Sequence, residues 1–129
     1  MKRKPVVLVV DDTRSVAETL AMLLKESGYN AIAAYSSKAA LDVVTGVAAD
    51  VTIVDINLPD GIDGVKTAVE IRKRLPNCKI VLISGDAESS EILDRAKKEG
   101  IEFPVLAKPI PPEELLGTLQ NLLKTCSRH

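Results

Sequence analysis

Three carboxylate residues come at the ends of apolar stretches of the sequence, in a pattern that suits metal-assisted chemistry. Asp11 and Asp12 follow the run Val6–Val10, and Asp55 ends the run VTIVD. Carboxylates that lie close together repel one another, and a hard divalent cation such as Mg²⁺ relieves that repulsion because it prefers oxygen ligands. These residues are therefore candidate metal ligands. The simpler alternative, in which Asp11 and Asp12 only cap a following helix, requires one Asp and not two.

A hydroxyl and a cation follow two further apolar stretches and suit the transfer of a phosphoryl group. A carboxylate beside a metal and a lysine can attack phosphorus and form an aspartyl phosphate, which makes Asp55 the candidate acceptor. Lys108 would offer positive charge to phosphoryl oxygens, Ser84 a hydroxyl donor, and Gly85 room for the incoming group. Taken singly, Lys108 is typical of a solvated loop and Ser84 of a helix cap. Their joint placement favours the catalytic interpretation.

Strand-like segments alternate with helical patterns along the whole chain. We predict strands at Val6–Val10, 31–34, 51–54, 79–83 and 103–107, each followed by a helix. The uninterrupted apolar run of the first strand is typical of a strand covered on both faces. Five successive βα units predict an α/β fold with one parallel sheet and helices on both faces. The carboxyl ends of parallel strands meet at one edge, so the candidate residues would share one pocket there.

Short polar and glycine signals mark the ends of the helices. Thr13 and Ser36 are the predicted caps of the first and second helices. Gly28 and Gly100 are predicted to end the first and fourth helices. Pro111 and Pro112 are predicted to open the last helix.

The composition indicates one soluble globular domain. The chain has 129 residues, 46% of them hydrophobic and 27% charged, enough for one sizeable core. A net charge of −1 favours neither a nucleic-acid nor a membrane surface. The basic start precedes an apolar run too short for a signal peptide, and no stretch reaches transmembrane length, so we expect a cytoplasmic protein. Cys78 and Cys126 lack metal-ligand spacing and are expected to be reduced structural thiols.

These motifs, taken in order, resemble the receiver domain of two-component response regulators over nearly the whole chain. The resemblance rests on VVDD after the first strand, D-I-N-L-P at 55–59, I-D-G at 62–64, I-S-G at 83–85 and K-P at 108–109. Any one of these motifs is weak, but all of them in order on a βα-alternating chain are specific. The resemblance implies a flavodoxin-like (βα)5 fold with strand order 2-1-3-4-5.

The resemblance also implies roles for the residues at the sheet edge. Asp55 would accept a phosphoryl group from a histidine kinase or a histidine phosphotransfer protein, in contact with Ser84 and Lys108. The cofactor would be Mg²⁺, bound by the side chains of Asp55 and Asp12. The backbone carbonyl of Asn57 would be a further ligand, and Asp11 would bind mainly through water. Such a domain is a signalling module rather than an enzyme, although it catalyses much of its own phosphorylation and dephosphorylation.

Further protein partners follow from the same resemblance. We expect one receiver domain over residues 1–129, with a core at about 5–124 and no visible output domain, as a monomer or weak homodimer. Its target would bind the surface of the fourth helix, fifth strand and fifth helix. That surface would include Glu91, Arg95, Lys98, Phe103, Val105 and parts of 112–124.

The sequence departs from the family pattern at two places. Receivers usually carry Tyr or Phe three residues before the lysine, and that ring turns inward as the Ser or Thr moves toward the phosphate. Here the residue is Val105, which is short and stiff, so a different route for the signal is expected. Phe103 would share its strand face and is a candidate substitute, although a core or edge role is commoner. In the longer loop LPDGIDG, Asp60 and Gly61 indicate an added turn.

Three other functions remain open at this stage. A phosphatase of the haloacid dehalogenase type also uses a strand-end Asp and Mg²⁺, but it usually has D-x-D where this chain has Asp55, Ile56 and Asn57. A nucleotide or flavin carrier is disfavoured because the glycines form no phosphate-binding motif. The third alternative is an interaction module of receiver fold that works without phosphorylation.

Overall fold

Strands and helices alternate in the computed structural model of the chain, which describes residues 4–58, 63–85 and 88–127. The strands are β1 (Val6–Val10), β2 (Asn30–Ala34), β3 (Val51–Asp55), β4 (Lys79–Ser84) and β5 (Val105–Ala107). The helices are α1 (Arg14–Glu26), α2 (Ser37–Gly46), α3 (Gly64–Arg74), α4 (Glu88–Lys98) and α5 (Pro112–Ser127). The strands form one parallel sheet in the order β2-β1-β3-β4-β5. The predicted α/β fold and strand order are confirmed.

The sheet is buried on both faces because its central strands are largely apolar, and β1 is apolar at every position. Residues Val7 to Val10 have no exposed surface. Since successive side chains of a strand point to opposite faces, alternate residues enter two separate cores. One core packs α2, α3 and α4 against the sheet, and the other packs α1 and α5 against the opposite face. Burial of each large apolar side chain contributes roughly 1.5–3 kcal/mol, so these two cores hold the sheet edge in place.

The strand ends differ from the predicted ones in a way that concerns the candidate site. β3 and β4 each continue one residue further than predicted, so that Asp55 pairs with Ile83 and Ser84 with Ala107 in the ladder. β5 is shorter than predicted because it begins at Val105 and not at Phe103. Asp55 and Ser84 are thus the last residues of strands, where backbone hydrogen bonds fix their direction.

Caps and glycines end the helices largely as predicted. The Ser36 side chain accepts a hydrogen bond from the Ala39 N–H of α2 at 3.0 Å. Thr13 occupies the N-cap position of α1, but its side chain makes no capping hydrogen bond. Gly28 (φ 99°) and Gly100 (φ 80°) follow α1 and α4 in the left-handed region, which glycine adopts without strain.

The remaining expectations about the chain have separate outcomes. Cys78 has a buried free thiol, whereas the side chain of Cys126 lies outside the described part. The added turn predicted at Asp60 and Gly61 also lies outside the described residues. Within the described segments, each helix is too short or too polar to cross a membrane.

Candidate functional site

The backbone of the carboxyl edge is held by hydrogen bonds that continue past the strand ends. The Asp11 N–H donates to the Ala34 carbonyl at 3.1 Å, and the Ile56 N–H donates to Ile83 at 3.0 Å. The Lys108 N–H donates to the Ser84 carbonyl at 2.9 Å. The site residues that follow β1 and β5 are therefore positioned by the same ladder that forms the sheet. The sheet brings Asp11, Asp55, Ser84 and Lys108 to one edge, as the sequence predicts.

Three carboxylates converge at this edge. Oxygen atoms from Asp11, Asp12 and Asp55 all lie within 4.8 Å of one another. Asp11 and Asp55 are buried, whereas Asp12 is exposed at the mouth of the cluster. Asn57 is half-buried, and its N–H donates to Asp55 Oδ1 at 3.1 Å. Carboxylates this close, two of them shielded from water, repel one another unless a cation lies between them.

Lys108 supplies part of the compensating charge. Its Nζ lies 2.9 Å from Asp11 Oδ2 and 3.0 Å from Asp55 Oδ2, and its side chain is 25% exposed. Asp11 Oδ1 is engaged elsewhere, since it accepts the N–H of Thr13 at 2.9 Å. Thus Asp11, rather than the Thr13 side chain, accepts a backbone hydrogen bond where α1 begins.

The carboxylate oxygens fit a hard divalent cation better than they fit Lys108 alone. Asp11 Oδ2 is buried, and apart from the ion pair with Lys108 the described residues give it no hydrogen-bond donor. One ammonium group cannot balance three ionised carboxylates. Mg²⁺ takes oxygen ligands at close range and is commonly bound through one or two carboxylates and water. The donor set of this cluster therefore matches that ion.

The protonation equilibria of the central pair follow from burial and proximity. Burial raises the pKa of Asp55, with Asp11 adding to the rise, although Lys108 and the Asn57 N–H act in the opposite direction. Burial alone would lower the pKa of Lys108, but the hydrogen bonds with Asp11 and Asp55 outweigh it and the pKa is raised. Lys108 thus stays an ammonium ion, and Asp55 is a more basic carboxylate than an exposed one. Both properties suit attack on phosphorus.

Gly64 is a site residue whose role the motif alone did not reveal. A Cβ atom at this position would overlap the carbonyl oxygen of Asp55 and lie 2.7 Å from the Cα of Ile56. The Gly64 N–H donates to the Ile56 carbonyl at 2.7 Å. Only a residue without a side chain lets α3 begin this close to the end of β3. Asp63 caps α3, because its Oδ1 accepts the Lys66 N–H at 2.8 Å.

Gly85 lies close to the aliphatic stem of Lys108. A Cβ atom at Gly85 would lie 3.2 Å from Cδ of Lys108. Gly85 therefore leaves room for the Lys108 side chain, and the room that it would give an incoming group stays a prediction. The peptide bond between Lys108 and Pro109 is cis.

Val105 and Phe103 line one cavity but occupy different environments. The cavity measures about 240 Å³ and lies between β4, α4 and the segment before β5. Val105 is 39% exposed, whereas Phe103 is half-buried. The Arg72 guanidinium lies 5.6 Å from the centroid of the Phe103 ring, and Arg72 Nε donates to the Cys78 carbonyl at 2.9 Å. Phe103 is thus held near the amino end of β4. Ser84 lies at the other end, which disfavours Phe103 as the substitute ring.

The expected target-binding surface is accessible to solvent. Glu91, Arg95 and Lys98 are exposed on α4, and Val105 adds an exposed apolar side chain on β5. This arrangement is compatible with a protein partner on that face.

Comparison with known proteins gives one family and several similar folds. A family model described as the response regulator receiver domain matches residues 7–120. A CheY-like receiver domain protein from Methanospirillum hungatei JF-1 has a TM-score of 0.83 at 23% identity, covering 95% of this chain and 96% of that one. The Vibrio cholerae chemotaxis protein CheY4 has a TM-score of 0.79 at 29% identity, with coverages of 92% and 98%. The signal receiver domain of an HD domain-containing protein from Pseudomonas fluorescens Pf-5 has a TM-score of 0.86 at 27% identity, with coverages of 96% and 98%.

Proposed function

The chain belongs to the response regulator receiver domain family, and from that premise we propose that it accepts a phosphoryl group on Asp55 in a Mg²⁺-dependent reaction. The donor would be a phosphohistidine of a sensor kinase or of a histidine phosphotransfer protein. The product, an aspartyl phosphate, would change the contacts of the domain with a downstream protein. As a member of this family the chain is a signalling domain of two-component systems rather than a conventional enzyme.

The observation that carries the proposal is the bridging position of Lys108 between two buried carboxylates. Lys108 Nζ contacts Oδ2 of both Asp11 and Asp55, while the Asn57 N–H holds Oδ1 of Asp55. We infer that Oδ2 of Asp55 is the nucleophile. Oδ1 is held by a backbone N–H, whereas the Lys108 side chain that contacts Oδ2 can rotate away. As the new O–P bond forms, the P–N bond of the donor breaks and the imidazole leaves with its electron pair. Lys108 then turns from the carboxylate to the phosphoryl oxygens.

The residues assigned to the metal are Asp11, Asp12, Asp55 and the backbone carbonyl of Asn57. When bound there, Mg²⁺ would supply positive charge to the phosphoryl oxygens. Ser84, at the end of the neighbouring strand, would donate its hydroxyl proton to the phosphoryl group. The resulting movement of Ser84 would be the first step of the signal.

The output of the domain is proposed to pass through α4, β5 and α5. We propose residues 1–129 as one receiver domain, a monomer or weak homodimer, with its target bound at this face. The haloacid dehalogenase alternative has less support, because Asn57 stands where that class has its second carboxylate. The phosphorylation-independent interaction module remains the alternative that the experiment below must exclude.

The test is the intact mass of the protein after incubation with acetyl phosphate. Wild type and Asp55→Asn are compared, each with Mg²⁺ and with EDTA. We expect one phosphoryl adduct on the wild type in Mg²⁺, and none in EDTA or on the variant. An adduct on Asp55→Asn would refute the assignment of the acceptor. If neither acetyl phosphate nor a phosphorylated histidine phosphotransfer protein modifies the wild type, the interaction module is the better description.

A further inference from the structure

Two buried hydroxyl groups connect α2 and α3. Ser37 opens α2 and has no exposed surface, and Thr67 lies in the first turn of α3 with 1% exposed. Ser37 Oγ and Thr67 Oγ1 are 2.8 Å apart. Apolar residues of α2 and α3 pack in the same core. A hydrogen bond between buried groups contributes about 1 kcal/mol, so this pair adds to the packing between α2 and α3.

The direction of this hydrogen bond follows from a second contact of Thr67. Thr67 Oγ1 also lies 3.2 Å from the carbonyl oxygen of Asp63, which can only accept. The single hydroxyl proton of Thr67 therefore points to Asp63, and Ser37 donates to Thr67. The result is a chain of hydrogen bonds from the start of α2 to the N-cap of α3.

The end of this chain touches the candidate site. Asp63 precedes Gly64, whose N–H donates to the Ile56 carbonyl at 2.7 Å. Gly64 also lies so close to the Asp55 carbonyl that no side chain would fit between them. A small shift of Asp63 relative to α2 is consequently passed to the backbone at Asp55 and Ile56. Functional groups of this kind must be held within about 0.5 Å of their working positions.

We propose that Ser37 and Thr67 are positioning residues for the metal and phosphoryl site, holding the backbone after Asp55 through Asp63 and Gly64. The proposal rests on the proposed function, because the ligand in question is Mg²⁺. A backbone carbonyl ligand, as assigned to Asn57, is especially sensitive to such a shift. Side-chain ligands can adjust by rotation, whereas a carbonyl moves only with its chain.

The experiment compares Mg²⁺ affinity with thermal stability in variants of this hydrogen-bond chain. Thr67→Val removes the hydroxyl at nearly constant shape, Ser37→Ala removes its donor, and Thr67→Ser keeps a hydroxyl. The Kd for Mg²⁺ is measured by NMR titration of backbone amides, and the melting midpoint by circular dichroism without Mg²⁺. We expect Thr67→Val and Ser37→Ala to weaken Mg²⁺ binding by roughly tenfold, and Thr67→Ser to bind like the wild type.

Thr52→Val is the matched control. Thr52 is also a fully buried threonine, and its Oγ1 lies 3.3 Å from Cys78 Sγ. It pairs with Leu8 and Ile80 in the ladder, away from the carboxyl edge. We expect Thr52→Val to lower the melting midpoint and to leave the Kd for Mg²⁺ unchanged.

The double variant Ser37→Ala, Thr67→Val separates positioning from simple stability. Removing both hydroxyls removes the hydrogen bond between them only once, so the double variant should lose less of its melting midpoint than the two single losses added together. Mg²⁺ affinity should stay low, because the link to Asp63 is still missing. A double variant that binds Mg²⁺ like the wild type would overturn the proposal, and so would a Thr67→Val protein that does. If the wild type itself binds no Mg²⁺ at millimolar concentration, the proposed function fails and this inference falls with it.

Discussion

Replacing Gly64 by alanine tests how closely α3 packs against the end of β3. A new Cβ would overlap the Asp55 carbonyl oxygen and lie 2.7 Å from the Cα of Ile56, where ordinary contact begins at 3.4 Å. Both neighbours are backbone atoms, which cannot rotate out of the way. The start of α3 or the end of β3 must therefore move, and the 2.7 Å hydrogen bond from Gly64 to Ile56 is strained with it.

The expected loss of stability is large for a single methyl group. Overpacking of a well-packed region costs about 1–3 kcal/mol, and a clash against backbone belongs at the upper end of that range. The better helix propensity of alanine offsets about 1 kcal/mol at most, and less at the first position of a helix. A net loss of about 2–3 kcal/mol should lower the melting midpoint by roughly 10 °C in a domain of this size.

Gly117→Ala provides the matched control on the same chain. Gly117 lies inside α5, and a Cβ at that position would meet no atom within 4 Å. Alanine in a helix interior is favoured over glycine by about 1 kcal/mol, so this variant should melt a few degrees above the wild type. The change from glycine to alanine is thus expected to lower the melting midpoint at position 64 and to raise it at position 117.

The functional assay is the rate of labelling by acetyl phosphate in Mg²⁺, followed by intact mass at a temperature where all variants are folded. A displacement near 1 Å at a reacting group costs about 100-fold in rate, so Gly64→Ala should be labelled roughly 10- to 100-fold more slowly. Gly117→Ala should be labelled at the wild-type rate. A Gly64→Ala protein that melts and reacts like the wild type would refute the close approach of α3 to Asp55.

Three further predictions concern charge, thiol reactivity and the cavity below β5. Burial raises the pKa of Asp55, so its carboxylate is less favourable in the folded than in the unfolded state; metal-free Asp55→Asn should melt above the wild type at neutral pH. The difference in melting midpoint between the variant and the wild type should narrow as the pH falls through the raised pKa of Asp55. A metal-free variant that melts below the wild type at neutral pH would contradict this prediction. Burial raises the pKa of the Cys78 thiol, so in a Cys126→Ser background iodoacetamide at pH 8 should modify unfolded but not folded protein, as read by mass. Rapid labelling of the folded protein would show that the thiol is accessible. Val105→Phe should place a ring over the cavity of about 240 Å³ and stabilise the fold by about 0.5–2 kcal/mol in a denaturant titration. A lower midpoint for this variant would mean that the cavity cannot accept a ring.

The sheet could be predicted from sequence because its strands carry an uninterrupted apolar pattern. Val6–Val10 was expected to be covered on both faces, and four of its five residues have no exposed surface. The predicted start of β5 at Phe103 is wrong because of the neighbouring residue, Pro104. Pro104 has no N–H and contributes only its carbonyl, which accepts the Leu82 N–H at 2.8 Å. The regular ladder therefore begins two residues later than predicted, at Val105.

The placement of Asp11, Asp55, Ser84 and Lys108 at one edge also followed from sequence, because parallel strands share a carboxyl end. The hydrogen bond between α2 and α3 behind that edge could not be predicted from the sequence. Ser37 and Thr67 are 30 residues apart and meet only because α2 and α3 pack side by side. One sequence carries no pattern that pairs two such hydroxyls. The cap at Asp63, in contrast, had a readable signal, since Asp is a favoured N-cap residue ahead of a helical segment.

The same edge predicts that the domain is more stable with the proposed Mg²⁺ ion than without it. The raised pKa of Asp55 indicates that folding places an ionised carboxylate where it is poorly solvated, and Asp11 lies beside it. Lys108 compensates for only part of this charge, so the apolar cores on the two faces must hold the cluster together in the metal-free state. A cation that binds only the folded state adds stability by mass action, about 1.4 kcal/mol at ten times its Kd. Asp55→Asn removes a ligand as well as a charge, so the order of stability should reverse when Mg²⁺ is added. The expected change in stability and the proposed phosphoryl chemistry at this edge are in this way two consequences of one unbalanced cluster of charge.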